Sequence, residues 1–537
     1  MDKHLQDRRE AWWQARRYTP EMLEMAEKVL DEVRAGAPVF ESIRRYPLPG
    51  GGYLGKHVLV AAYRSLIESG EWSEDRALLE KIRMKPMRTL SGVTTVTVLT
   101  KPYPCPGKCI FCPTDVRMPK SYLPDEPGAR RALDHDFDPY DQVSARIQAL
   151  EAVGHPTEKI ELLILGGTWS SYRDDYQEWF IRRCFDAMNG VEIDSLEKAH
   201  SYNETALHRN VGLVIETRPD HVNLREIERL RRLGVTKVQM GVQSLDDRIL
   251  DLNKRGHSVE ESHRAVSLLR AAGFKIVLHW MPNLLGATPT SDRADFNRLW
   301  EDLCPDEIKI YPNQLLENAE LHDYWLRGEF QPYTTEELVD LIADIKPSIP
   351  RYCRVNRVIR DIPSTHVVEG NKRTSLRQDV HAEMKRRGTR CQCIRCREVR
   401  VHKVKRDILQ LEHLIFPAGG MEEHFLSLVT AEDRLAGFLR LALPLEGSPL
   451  TGLADLQGAG IIREVHVYGQ SLEVGQTEQG VAQHSGLGSS LLEEAERIAR
   501  AQGYRRLAVI AAVGTRCYYI KRGFERGELY LVKRLVE

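Results

Sequence analysis

Nowhere does an apolar run approach the length that a membrane-crossing helix needs, and the opening residues, MDKHLQDRRE, lack the apolar core of a secretory signal. These two absences set the expectation of a cytoplasmic protein with no membrane partner. A surplus of one charge is also missing: 76 lysines and arginines face 77 acids, for a net charge of −1, so overall charge names no partner. Cysteine, by contrast, is present ten times, and six of the ten fall into two tight clusters, Cys105, Cys109, Cys112 and Cys391, Cys393, Cys396. A reducing compartment disfavours disulfides, so clustered thiols read first as metal ligands.

The charge that balances overall is uneven locally. Residues 81–101 hold Lys81, Arg83, Lys85, Arg88 and Lys101 and no acid, and residues 385–406 hold ten cations against Glu398 alone. Arg351, Arg354, Arg357 and Arg360 come every third residue. Each run has a bland reading as a solvated face, but three together point to a polyanion such as nucleic acid.

At 537 residues the chain is too long for one core, and two to four domains are expected. Residues 1–80 read as a helical region broken by Pro49-Gly50-Gly51-Gly52. From 81 to 345 short β-branched runs (93–99, 160–165, 212–215, 237–242, 275–280 and 307–311) alternate with helical segments. Alternation of this kind implies a parallel sheet, here a partial (β/α)6 barrel. Residues 346–397 form a basic, proline-punctuated linker with the second cysteine cluster, and 398–537 carry their own strands and helices as a second α/β domain. The unusual residues of the barrel all follow its strands, where parallel α/β folds bind ligands.

Cys105-Pro-Gly-Lys-Cys109-Ile-Phe-Cys112 places three soft ligands within eight residues. Thiolates suit zinc or an iron–sulfur cluster; no fourth ligand lies nearby, and three cysteines on a four-iron cluster leave one iron open. The spacing, its place after the first strand and Phe111 resemble the radical S-adenosylmethionine superfamily. The resemblance implies a 4Fe-4S cluster that chelates S-adenosylmethionine, yields a 5′-deoxyadenosyl radical and needs an electron donor. It further implies that Gly166, Gly167 and Thr168 hold the methionine amino group, that Glu216, Arg218, Gln243 and Ser244 surround ribose and carboxylate, and that Met281 and Pro282 lie near the adenine.

In the C-terminal domain Gln483-His484-Ser485-Gly486-Leu487-Gly488 precedes a helix near Ser489, a setting in which glycines and free helix N–H groups cradle a pyrophosphate. With the strand holding Glu464, Val465, His466 and Val467, and with Tyr518-Tyr519 downstream, this resembles the GNAT acetyltransferase fold. There the strand pairs with the pantetheine of acetyl-CoA, and Tyr519 or its neighbour Tyr518 would act as general acid.

The two domains in this order resemble the catalytic subunit of Elongator, the third Elp protein. The strings that carry the likeness are Lys85-Pro86, Arg88-Thr89, Gly166-Gly167-Thr168, Glu216-Thr217-Arg218-Pro219-Asp220, Val242-Gln243-Ser244, Arg360-Asp361-Ile362-Pro363 and Glu464-Val465-His466-Val467-Tyr468-Gly469. The compact cluster loop marks a shorter, prokaryotic form. The family implies modification of the C5 carbon of the tRNA wobble uridine with an acetyl-derived, carboxymethyl-type group, and places Lys159 near acetyl-CoA. It implies the tRNA anticodon stem-loop as partner, with partner subunits or a homodimer open. The linker cysteines read as a structural zinc site whose fourth ligand is open among Cys304, Cys353, His381 and His402. Two other functions stay in view, a protein lysine acetyltransferase with the barrel as scaffold and a non-catalytic tRNA-binding subunit.

Overall fold

Parallel strands bury both faces and therefore need helices on the outside, and that rule organises most of the chain. The computed structural model describes residues 18–49, 51–84, 91–400, 404, 406–468 and 486–535. Four short helices, from Pro20–Arg34 to Arg76–Ile82, bury Ala26, Leu30, Leu59 and Leu66 in a small core of their own. Arg83 ties this core to the barrel by donating from Nε to the carbonyl of Gly154 at 2.8 Å.

The barrel strands are β1 (Thr94–Leu99), β2 (Lys159–Leu165), β3 (Arg209–Thr217), β4 (Lys237–Gln243), β5 (Lys275–Trp280), β6 (Glu307–Ile310) and β7 (Arg354–Val358). They lie side by side in chain order, every pair parallel. Helix starts between them are fixed locally: Ser258 and Glu261, like Thr334 and Glu337, exchange reciprocal hydrogen bonds that cap the first turn.

The sheet thus gains a seventh strand beyond the six expected. It lies inside residues 346–397, which are not a linker but part of the barrel, since β7 pairs with β6 and the helix Leu376–Arg386 packs on Thr335–Ile345. Arg354, Arg357 and Asn356 hid the strand by breaking its apolar pattern. The same placement gives each residue of the arginine ladder an acidic partner. Arg351 pairs with Asp433 and Glu412, Arg354 with Glu398, Arg357 with Asp361 and Arg360 with Glu126. All four guanidiniums meet acids, and Arg354, Arg357 and Arg360 also line the cavity described below.

The second sheet runs in the order β13 (Glu525–Arg526), β14 (Leu531–Arg534), β12 (Arg506–Val509), β11 (Gly460–Val467), β10 (Leu435–Pro444), β9 (Met421–Val429) and β8 (Gln410–Ala418). Only β11 and β12 are parallel, and they pair only over Gly460–Ile462 before parting. On its other side β11 stays paired with β10, with one irregularity that skips Arg463.

That irregularity sends Arg463 into the barrel's underside. Its guanidinium donates to Asp306 at 2.5 Å and Glu423 at 2.7 Å; Arg270 also reaches Glu423, at 3.0 Å, and Arg440 reaches Glu464 at 3.0 Å. Asp306, Arg270, Arg440 and Arg463 are almost fully buried. Burial opposes ionisation of Asp306, but Arg463, Arg440 and Arg270 outweigh it and hold its carboxyl well below the usual range. Paired buried charges of this kind fix geometry, because losing one partner leaves the other stranded.

Candidate active site

Side chains alternate across a strand, so every second residue of β1 to β7 points into the barrel. In barrels of this general type that interior is packed with Val, Ile and Leu. Here it is not. The inward positions include Thr95 and Thr97, Glu161, Gly212, Lys237 and Gln239, Lys275 and His279, Glu307 and Lys309, and Asn356, and they line a cavity of about 1230 Å³. The same cavity reaches Cys105, Cys109 and Cys112 at the strands' C-terminal ends and Glu464, His466 and Tyr519 of the second domain at their N-terminal ends.

At the C-terminal mouth, Gly166 and Gly167 have φ of +148° and +90°. A Cβ on Gly166 would sit 1.8 Å from Thr100 Oγ1, so only glycine permits this turn. Gly167 and Thr168 line the cavity, and Cys105 Sγ approaches Thr168 Oγ1 at 3.8 Å. Arg218 forks onto Asp220 at 2.9 and 3.1 Å and donates to the carbonyl of Arg255 at 2.6 Å. Its remaining NH1 is buried without a partner, and a Cβ on Gly107 would lie 2.3 Å from it, so the glycine of the cysteine loop makes room for the guanidinium. Glu216 accepts from Tyr122 at 2.8 Å, and Arg360 lies over the Tyr122 ring. Gln243 takes φ +72°, which is strained for a residue with a side chain, and its buried Oε1 has no partner. Phe111 and Met281 also line the cavity. Ser244 instead bonds Asp295 at 3.2 Å; neither it nor Pro282 is part of the lining.

Arg255 is the residue here that sequence reading missed. It donates to Cys109 Sγ at 3.0 Å and to the carbonyl of Gly241 at 2.5 Å. The Cys112 hydrogen bond, against burial, and then Arg255 bring the Cys109 thiol down to about 5. Cys105, Cys109 and Cys112 do not all lie within 4.8 Å of one another, which is wider than a single tetrahedral ion needs. A loop of three soft ligands, spread too far for one ion and set beside orphaned buried donors and acceptors, fits an iron–sulfur cluster with a polar ligand.

Cys391, Cys393 and Cys396 do lie within 4.8 Å of one another, and among the described residues no fourth ligand joins them. Cys304 donates to the carbonyl of Trp300 at 3.1 Å. Cys353 and His381 are outside the group, and His402 lies outside the described residues. Lys346 is fully buried, its ammonium lacks a hydrogen-bond partner, and its charge acts on Cys391 and Cys393. A buried cation beside three thiols matches a metal thiolate group of net negative charge, so this donor set fits one soft metal ion.

At the N-terminal mouth Lys275 bridges Glu307 at 2.6 Å and Glu464 at 2.5 Å, and Lys237 bonds Glu161 at 2.5 Å. Burial opposes ionisation of Glu307, but Lys237 and Lys275 hold its carboxyl well below the usual range. Val465 and His466 line the cavity here, and His466 Nε2 is buried without a partner. Tyr519 is buried at this mouth, and burial, followed by Tyr518 and Glu464, pushes its hydroxyl pKa up.

Tyr518 and Val467 stand outside the lining, as do Gly486, Leu487, Gly488 and Ser489. These last four open the helix Leu487–Ala501, with Gly486 at φ +79°. A Cβ on Gly488 would meet the Tyr518 hydroxyl at 2.5 Å. Two arginines that sequence reading missed join them: Arg406 donates to Ser490 at 2.7 Å and Arg522 to Ser489 at 3.1 Å. A helix N-terminus flanked by two guanidiniums has the donors and the charge to hold an anion. Gln483, His484 and Ser485 lie outside the described residues, as do Lys85, Pro86, Arg88, Thr89 and Gly469. Lys159 opens β2 and is half-buried, with its pKa lowered by burial and by Arg209, but it does not reach the cavity.

Comparison with known proteins agrees with this geometry. Residues 103–298 match the radical SAM superfamily model, and residues 305–386 match the radical SAM C-terminal domain model. The tRNA uridine(34) acetyltransferase of Dehalococcoides mccartyi is 45% identical over 458 residues, covering 84% of this chain and 99% of that protein. That of Methanocaldococcus jannaschii is 43% identical over 479 residues, with 86% and 88% covered. The solved structure of the archaeal Methanocaldococcus infernus Elp3 with an N-terminal deletion superposes with a TM-score of 0.73 at 39% identity, covering 83% of this chain and 100% of that one. Among the described residues no helix is long and apolar enough to cross a membrane. With a radical SAM barrel that depends on a 4Fe-4S cluster and S-adenosylmethionine, fused to a second α/β sheet, the chain belongs to the family of tRNA uridine(34) acetyltransferases and Elongator complex protein 3.

Proposed function

We propose that this protein attaches an acetyl-derived group to C5 of the wobble uridine of tRNA, drawing the group from acetyl-CoA. One observation carries the reading: a single cavity is lined at one end by the three-cysteine loop and at the other by Glu464, His466 and Tyr519. When bound, the cluster and S-adenosylmethionine supply one-electron cleavage of the sulfonium and a hydrogen-abstracting radical. The chain's own residues do the rest. Cys105, Cys109 and Cys112 would hold the cluster, while Gly167, Thr168, Glu216, Arg218 and Gln243 would bind and orient S-adenosylmethionine with donors and acceptors already in place.

In the second domain the gap between β11 and β12 beyond Ile462 is the place for an extended amide-bearing arm such as pantetheine. The helix start at Gly486, Gly488 and Ser489, with Arg406 and Arg522, would take the pyrophosphate. Tyr519, which lines the cavity while Tyr518 does not, would give the proton from its hydroxyl to the departing thiolate sulfur. Cys391, Cys393 and Cys396 would hold zinc as a brace for the barrel's last strand, close to where Ile394 N–H bonds the Cys353 carbonyl. Partner subunits are carried by the name of the eukaryotic relatives, Elongator complex protein 3, and gel filtration against the 61.4 kDa chain mass reads that question directly.

The test is CoA release and nucleoside analysis with the reconstituted protein, a reductant and tRNA. Release should rise with tRNA and fall in Tyr519→Phe, and an acetyl-derived uridine should form only with S-adenosylmethionine. Release stimulated by a lysine peptide and indifferent to tRNA would establish a protein acetyltransferase instead. Binding of tRNA with neither product would leave a binding subunit.

A further inference from the structure

The two candidate sites lie at opposite ends of the barrel, so whatever joins them must cross it. From Lys237 to Gln243 strand β4 spans six steps, about 20 Å at the usual rise. A barrel with no traffic through it has every reason to fill its axis with apolar side chains, since polar groups there must find partners away from water. This one instead points Thr97, Gln239 and Lys309 inward at mid-height beside Leu163 and Val214, and at Gly212, level with Glu161, it points no side chain at all. A Cβ on Gly212 would find Glu161 Cγ at 3.4 Å, so a small residue would fit, and the missing side chain leaves lumen space.

We propose that the barrel lumen is an acyl channel, entered by the acetyl end of the pantetheine thioester at the acetyltransferase mouth and open to the cysteine loop at the other. The proposal rests on the acetyl-CoA reading above and adds the route. Its polar lining suits a neutral chain that carries amides, because the lumen acids and lysines largely satisfy one another and leave donors and acceptors but little net field. The entrance is a composite gate: Lys275 from the barrel is shared between Glu307, also from the barrel, and Glu464 from the second domain, so the gate exists only where the two domains meet.

Two measurements on the full-length, cluster-reconstituted protein decide it. In the first, a CoA thioether bearing a photoreactive diazirine at its acyl end is irradiated on the unaltered protein and the labelled peptides are sequenced. Labelling of β1, β3 or β4 at Thr97, Val214 or Gln239 is expected; label confined to the second domain overturns the channel. In the second, Thr97→Phe plugs the lumen at a distance from both mouths, and Gly212→Phe plugs it just inside the acetyltransferase mouth, level with Glu161. Modified uridine should fall at least about a hundredfold, the scale of a misplaced reacting group, while reductive cleavage of S-adenosylmethionine continues. Full modification by a folded, plugged variant overturns the route and leaves the functional reading intact. If the unaltered protein makes no acetyl-derived uridine, the functional reading fails, and the labelling pattern alone still decides the channel.

Discussion

Two groups of three cysteines sit in this chain, and the fold arranges the same atoms in opposite ways. Cys391, Cys393 and Cys396 converge within 4.8 Å; Cys105, Cys109 and Cys112 do not. The first group lies against a buried ammonium, Lys346, and packs among the core residues around β7. The second sits on a loop at the mouth of a cavity and meets the guanidinium of Arg255. Sequence spacing barely separates them, since both end in C-x-x-C. What separates them is how far the thiols spread and whether open space adjoins them, which is the difference between holding one ion and presenting a larger group to a substrate.

Substitutions test the contrast directly. Cys109→Ser should have the largest effect, taking S-adenosylmethionine cleavage to background and lowering iron content while moving the melting midpoint little. Chromatography of 5′-deoxyadenosine and a thermal melt read both. Cys393→Ala should do the reverse, costing roughly 3–5 kcal/mol of stability through lost metal with cleavage per folded molecule unchanged. A zinc-selective chelator should reproduce that loss in the parent protein and do nothing further to the variant. If Cys393→Ala abolished cleavage in folded protein, the division of labour would be wrong.

Smaller effects test the neighbouring charges. Lys346→Met should weaken metal retention about 10–100-fold in competition with a chelator. Arg255→Gln should slow cleavage about tenfold and move the cluster potential to more negative values, because a positive charge leaves its side. An unchanged potential would remove Arg255 from the cluster's surroundings.

Much of this was legible in the sequence, because the signals were local. β-Branched runs between helical segments gave six of the barrel strands, and odd residues after those runs, from Cys105 to Met281, gather at one mouth of the cavity. What stayed hidden was assembled by the fold. Arg255 lies 146 residues from the thiol it touches, and Arg406 and Arg522 reach one helix start from either side of it. Strand β7 was masked by Arg354 and Arg357, whose acidic partners, Glu398 and Asp361, lie outside the strand. The polar lumen had left a readable trace: Lys-Val-Gln-Met-Gly-Val-Gln in β4 and Glu-Ile-Lys-Ile in β6 alternate, although strands buried on both faces usually read as continuous apolar runs. Ser244, Pro282 and Lys159, which the motifs also single out, do not line the cavity.

The charged clasp between the domains, Arg463 on Asp306 and Glu423 with Arg270 and Arg440 around them, bears on the rhythm of turnover. Swinging the two halves apart would strip buried ions of their partners all at once, so hinge opening is a poor way to admit a cofactor or release a product. Exchange by way of the loops at either end of the barrel would leave those pairs intact, and loop movements of that kind set the pace of many enzymes.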